Sequence, residues 1–236
     1  MFRIVFRSNS LLLPAECRRN SVRLFISSEN SSKPQQVNTV ELIGKIHKHL
    51  FTLPSGYKML ILQTKELDNK YFYHMVGTGT TMRCEAGQRV HLIGRICSQN
   101  YWTEEKKLRQ KIVIKTGELE FLPKSVDIQS DKNHVQLCSQ IYSDIENTRH
   151  HSAFTMTTHH TTKGGVSAGI YVAENHRILI REPSLLDFVR NDLKRLDWIR
   201  IEGQISYTFS RNSKLQLRSS GYILANSITK ENTNPS

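Results

Sequence analysis

Short runs in which apolar and polar residues alternate recur along the whole chain, the pattern of strands with one face turned to solvent. Val40-Glu41-Leu42-Ile43-Gly44-Lys45-Ile46 and Val135-Gln136-Leu137-Cys138-Ser139-Gln140-Ile141 each open a similar series of such runs. Later in each series, Val90-His91-Leu92-Ile93-Gly94-Arg95-Ile96 is echoed by Ile199-Arg200-Ile201-Glu202-Gly203-Gln204-Ile205. Between these landmarks lie Tyr57 to Gly77 in one copy and Ala153 to Leu196 in the other, and after them come Leu108 to Leu122 and Lys214 to Ile228, rich in β-formers. The repeat predicts an all-β chain of two tandem units, each a small curled barrel of about five strands. A Gly inside a strand marks a bend, a bulge or a close backbone approach. The polar, Pro-containing stretch 122–133 suits a surface connection between them, with the boundary near Gln129.

One segment breaks the strand pattern. Leu185, Leu186, Val189, Leu193 and Leu196 recur at helical spacing, with Arg190, Lys194 and Arg195 largely on the other side. Ser184 stands where a helix cap belongs, and Asp187 follows three residues later. The spacing predicts a helix plugging one end of the second barrel. The matching segment of the first copy, Thr80 to Gln88, is shorter and contains Gly87, so its helix is short or missing.

The chain has 236 residues and a formal net charge of +12. The Arg-rich, Ser-rich, acid-poor start reads as a mitochondrial transit peptide and disordered lead-in over residues 1–29, excluded from the fold. A disordered basic tail that itself touches nucleic acid is the other reading of that segment. The remaining excess is spread over both units and favours a polyanionic partner. No apolar run reaches the length of a membrane span. The four Cys are scattered without a Cys-x-x-Cys pair, and Cys97 and Cys138 sit in strand-like runs as small hydrophobes.

Candidate chemistry points away from catalysis. His150-His151 and His159-His160 are adjacent pairs, which diverge on a strand or helix and form no compact metal face, and read as polar loop. Lys163-Gly164-Gly165 lacks the rest of a phosphate-cradling loop. No metal, cofactor or catalytic set is expected. Aromatics interleaved with cations are abundant instead, the combination that holds unpaired bases by stacking and phosphates by charge. In Tyr71 to Val76, alternation puts Tyr71, Tyr73 and Met75 on one face and Phe72, His74 and Val76 on the other, so one set fills the barrel and the other is free to meet a base. Tyr101-Trp102 lies in a polar hairpin setting with Lys106, Lys107, Arg109 and Lys111 after it. The second copy offers Tyr207 and Phe209 on one strand face, followed by Arg211 and Lys214, while Trp198 reads as core.

These residues bear a resemblance. Asn38 with Val40–Ile46, the aromatic-led run Tyr71–Val76, the strand Gly87–Ile96 and the hairpin from Tyr101-Trp102 through Leu108-Arg109-Gln110 resemble, in order and spacing, the mitochondrial and bacterial single-stranded DNA-binding protein family. The second copy is similar through Asp197–Ile205 and Tyr207, with Ser139 in place of the opening Gly. The resemblance implies two divergent oligonucleotide-binding (OB) barrels, at 37–128 and 133–229, and the binding of single-stranded DNA in the mitochondrial matrix, without catalysis, in support of DNA replication or maintenance. Trp102, Tyr101, Tyr73, Lys106, Lys107, Arg109, Lys111, Tyr207, Phe209, Arg211 and Lys214 are the expected contacts. RNA remains open as a partner, as do a homo-oligomer and an adaptor role within a mitochondrial complex.

Overall fold

Alternation along β3 is enough to orient it: in Tyr71–Thr78 the outer Tyr71 and Tyr73 are exposed while His74 and Val76 are buried. The same logic builds the rest of the molecule. The computed structural model describes residues 34–52, 57–65, 70–79, 83–102, 108–123, 130–161, 171–211 and 217–231. Among these, β1 (Val37–Thr52), β2 (Lys58–Lys65), β3, β4 (Arg89–Trp102) and β5 (Leu108–Phe121) make the first half. The second half holds β6 (Lys132–Ile141), β7 (Glu146–Asn147), β8 (Ser152–Thr161), β9 (Tyr171–Ile180), α1 (Pro183–Asp192), β10 (Trp198–Arg211) and β11 (Leu217–Lys230). The described residues are thus mainly strand with a single helix, consistent with an OB fold.

Pairing follows the same circuit in each half. β1 pairs with β2, β2 with β3, β3 in parallel with β5, β5 with β4, and β4 with β1 again. In the second half β6 pairs with β8, β8 with β9, β9 in parallel with β11, β11 with β10, and β10 with β6, while short β7 adds to β8.

The repeat predicts two tandem barrels and leaves their packing open; all eleven described strands belong to one continuous sheet. The cause is β1. Its early residues lie between β4 and β6, with Val37 opposite Cys138 and Ile43 opposite Lys132. From Lys45 onward it takes β2 as partner, with irregularities at Ile46/Lys48 and His49/Phe51 that let the strand bend from one neighbour to the other. A strand this long has an edge to spare at its start, and the opening strand of the second half fills it. A single apolar cluster results, with Val40, Leu42, Leu92 and Ile96 in contact with the same body of core as Val135, Leu137, Ile201 and Ile205.

The echoed strings occupy equivalent places. The ladder shifts register between Ile93 and Gly94 in β4 and between Glu202 and Gly203 in β10. A side-chain tie matches as well. Asn38 Nδ2 donates to the Ile96 carbonyl at 2.9 Å and Asn38 Oδ1 accepts from the Ile96 N–H at 3.0 Å; Asn133 repeats this with Ile205 at 2.9 and 3.1 Å. Each Asn therefore prolongs a ladder by mimicking one more backbone residue.

The helix forms where the spacing predicts but begins differently. Its cap is Glu182, with Pro183 at the first helical position and no side-chain cap bond. Proline's fixed φ and missing N–H suit that position, so Ser184 falls inside the first turn, its hydroxyl turned to Glu182 at 3.5 Å. Nor is there an acidic residue in that turn. Leu186, Val189 and Leu193 are buried as expected, but Leu196 lies beyond the helix, exposed, with φ of 75°. In the first half, residues 83–88 carry only a turn at Ala86-Gly87. Trp198 is buried, as its place after the helix suggested, and so is Cys138. No described helix is long and apolar enough to cross a membrane.

Candidate nucleic-acid interface

The outer face of β2 and β3 gathers exposed aromatics. Tyr71 and Tyr73 are 49% and 43% exposed. Lys65, opposite Tyr71 in the ladder, holds its ammonium 6.0 Å from that ring, within the range of a cation–π contact. His47 of β1 meets Tyr73 edge-on, ring centres 4.9 Å apart. Tyr73 is thereby steadied at its edge.

Behind this face the same strand is anchored in the core. His74 is fully buried and contacts Thr64 Oγ1 at 2.9 Å and the Tyr207 hydroxyl at 3.1 Å. A neutral imidazole carries one donor and one acceptor, and two hydroxyls can complement both. Burial drives the His74 pKa from its ordinary 6.5 to about 3, so the ring stays uncharged. Burial likewise pushes the Tyr207 phenol up. Tyr207 makes an internal contact as well as lining an open cleft. It reaches from β10 into the first half, beside Phe72 and His74 with ring centres at 6.4 and 5.7 Å. Replacing it with Phe strips a buried imidazole of one partner, a loss of about 1–3 kcal/mol. We expect thermal unfolding several degrees lower, with the far-UV spectrum unchanged; an unshifted midpoint would show that the bond contributes nothing.

A cleft of about 210 Å³ opens beside Tyr73, lined by Ile61, Met75, Lys111, Ile112, Tyr207 and Gly221. Tyr73, Lys111 and Tyr207, three of the expected contacts, thus converge on one concavity. The other expected residues are placed less fully. Tyr101 pairs with Arg109 and Trp102 with Leu108 at the far end of β4–β5, and Phe209 and Arg211 pair with Ser219 and Leu217 at the far end of β10–β11. Only their backbone positions are described. Lys106, Lys107 and Lys214 lie outside the described residues. His47 and Lys65 join the surface without having been singled out, and Tyr71, placed by alternation on the face of Tyr73, joins it too.

The second half differs. Thr158 and His176 match Thr64 and His74 in ladder position, hydrogen bond at 2.7 Å and burial, and the His176 pKa is likewise lowered to about 3 by burial. Counting from those histidines, Tyr71 and Tyr73 correspond to Ala173 and Asn175, so the paired tyrosines are missing. The counterpart of Tyr207 is Ser98, too short to span the gap: Ser98 Oγ and His176 Nδ1 are both buried without a hydrogen-bond partner. Tyr171, 65% exposed, stacks on His159 instead, with centres 4.9 Å apart and planes 11° from parallel. His159 and His160 therefore belong to β8 and not to a loop. Among the described residues no group of His, Cys, Asp or Glu is arranged to hold a metal.

No protein-family model matches the chain, and no curated protein sequence does. Solved structures do. The wild-type single-stranded DNA-binding protein from Thermus aquaticus superposes with a TM-score of 0.57 at 17% identity, covering 86% of this chain and 97% of its own. A deletion mutant of that protein gives 0.56 at 15% identity, with 85% and 97% covered. The chain shares the fold of a single-stranded DNA-binding protein. The match covers residues of both halves.

Proposed function

We propose that this protein binds single-stranded DNA in the mitochondrial matrix without catalysis, coating exposed strands during replication or maintenance of the DNA. The observation that carries this is the pair of exposed tyrosines on β3, steadied by Lys65 and His47, on a chain of net charge +12. Solvent-facing aromatics in a basic surround are what unpaired bases require, each stacked base contributing about 1–3 kcal/mol. We read the two strand circuits as tandem five-stranded OB barrels, 37–128 and 133–229, with Trp102, Tyr101 and Arg109 on one hairpin and Phe209 and Arg211 on the other extending the path of the strand. The Arg-rich, acid-poor residues 1–29 support the mitochondrial assignment.

Fluorescence anisotropy with labelled poly-dT and an RNA of equal length, at two salt concentrations, tests the reading. Binding to unrelated DNA sequences should be tighter than micromolar at low salt and fall steeply as salt rises. The Tyr71→Ala, Tyr73→Ala double variant should bind at least about tenfold more weakly. Micromolar or weaker binding to both polymers at low salt would overturn the proposal, and a clear preference for the RNA would redirect it to an RNA-bound role.

A further inference from the structure

The cleft beside Tyr73 lies against β3. In the second half the matching place on β9 is occupied by Gln110 of β5, which donates to the Asn175 carbonyl at 2.6 Å and accepts from the Arg177 N–H at 3.2 Å. On the first-half side the described residues leave a cleft beside Tyr73. Gly221 of β11 lies against the Ile112 side chain, where a Cβ would sit only 2.7 Å from it, so the strands of the two halves approach closely and leave the concavity between Tyr73, Met75 and Lys111.

Lys111 is the informative group. It is half-buried, and burial lowers its pKa. Among the described residues no carboxylate pairs with it. A cation withdrawn from water beside Ile61, Met75 and Ile112 is unfavourable to the fold by itself, and a side chain of the same length without charge would serve packing better. An anion arriving from solvent reverses that balance. The walls add an apolar floor and two aromatic rings. The volume, about 210 Å³, is below the roughly 300–1,000 Å³ of sites that enclose a whole small ligand, and suits a fragment the size of one base.

We propose that this cleft seats one nucleotide of a bound single strand, its base against Tyr73 and Met75 and its phosphate on the Lys111 ammonium. The inference rests on the single-strand reading above and adds a contact in a cleft whose lining both halves supply. The strand is thereby pinned at one point in a fixed register, whereas stacking on Tyr71 alone would let it slide.

Lys111→Met and Lys111→Arg, made in the full chain, test it with oligo-dT of fixed length over a salt series. Lys111→Met should weaken binding about tenfold and lower the slope of log affinity against log salt by about 0.7, the value for one phosphate contact on a single strand, while the thermal midpoint holds or rises. Lys111→Arg should restore most of the slope. A 5-iodouracil placed in the oligonucleotide should crosslink to Tyr73 or Met75 on irradiation. If Lys111→Met keeps both affinity and slope while Tyr71→Ala weakens binding, the strand passes over β3 without entering the cleft, and this inference falls while the single-strand reading stands. If the unaltered protein binds no oligo-dT, both fall.

Discussion

Lowering the pH from 7.5 to about 4.5 should destabilise the protein by several kcal/mol, with His74 and His176 responsible for much of the loss. Both imidazoles are buried and hold pKa values near 3, against 6.5 for an unconstrained ring. An unfolded chain takes up protons at these sites as pH falls through 6.5, whereas the folded chain does not until about 3. Their contribution is therefore whole above pH 6.5 and drains away between 6.5 and 3, at up to about 1.4 kcal/mol per pH unit for each ring. Urea midpoints measured at pH 7.5, 6.0, 5.0 and 4.5 should fall progressively. His74→Gln, which keeps polar atoms beside Thr64 and Tyr207 but cannot titrate in this range, should remove about half of the His-linked slope. Midpoints that stay level down to pH 4.5 would show that neither ring is held neutral by the fold.

The second large effect concerns the glycines of the echoed strings. A Cβ on Gly203 would strike the Leu224 carbonyl, and one on Gly94 would strike that of Lys115, both backbone atoms of the paired strand. Neither can yield without breaking the ladder at the register shift. Gly203→Ala and Gly94→Ala should therefore each destabilise by about 1–3 kcal/mol or more, with Gly203 hit harder because its contact is closer. Gly117→Ala is the control, since its Cβ would reach only 3.4 Å from the Ile93 carbonyl. Chemical denaturation of the three variants decides the matter. Equal midpoints for Gly117→Ala and Gly203→Ala would mean that the bulges absorb a methyl group without strain.

Those two glycines show what was legible in advance. A Gly in the middle of an apolar-alternating string has few reasons to be there, and close backbone approach was one of them. The period of two on Tyr71 to Val76 likewise separated the exposed tyrosines from the buried His74, because side-chain direction on a strand is a local property. Trp198 in the core followed from its place between a helix and a strand. The β1–β6 pairing was not legible: which edge a strand offers depends on hydrogen-bonding groups that every residue carries alike. Ser184 looked like a cap by composition, but the rigid ring of Pro183 fixed the helix start two residues earlier. The bond between Tyr207 and His74 was not legible, because nothing in the neighbourhood of either residue reveals a partner so far away in sequence. Lys111 carries a legible charge; that no carboxylate among the described residues pairs with it in a half-buried cleft is visible only in three dimensions.

The partner exchange along β1 also orders events in time. β1 is complete at Thr52, but the strand that takes its other edge does not begin until Lys132. At ordinary synthesis rates of about 5–20 residues per second the wait is on the order of ten seconds. Until it ends, residues 37–43 present unpaired amides and carbonyls along the edge that β6 will take, the template that promotes strand exchange between neighbouring chains. The hazard in making this protein is thus concentrated in one interval and one seven-residue edge, and it ends when β6 arrives.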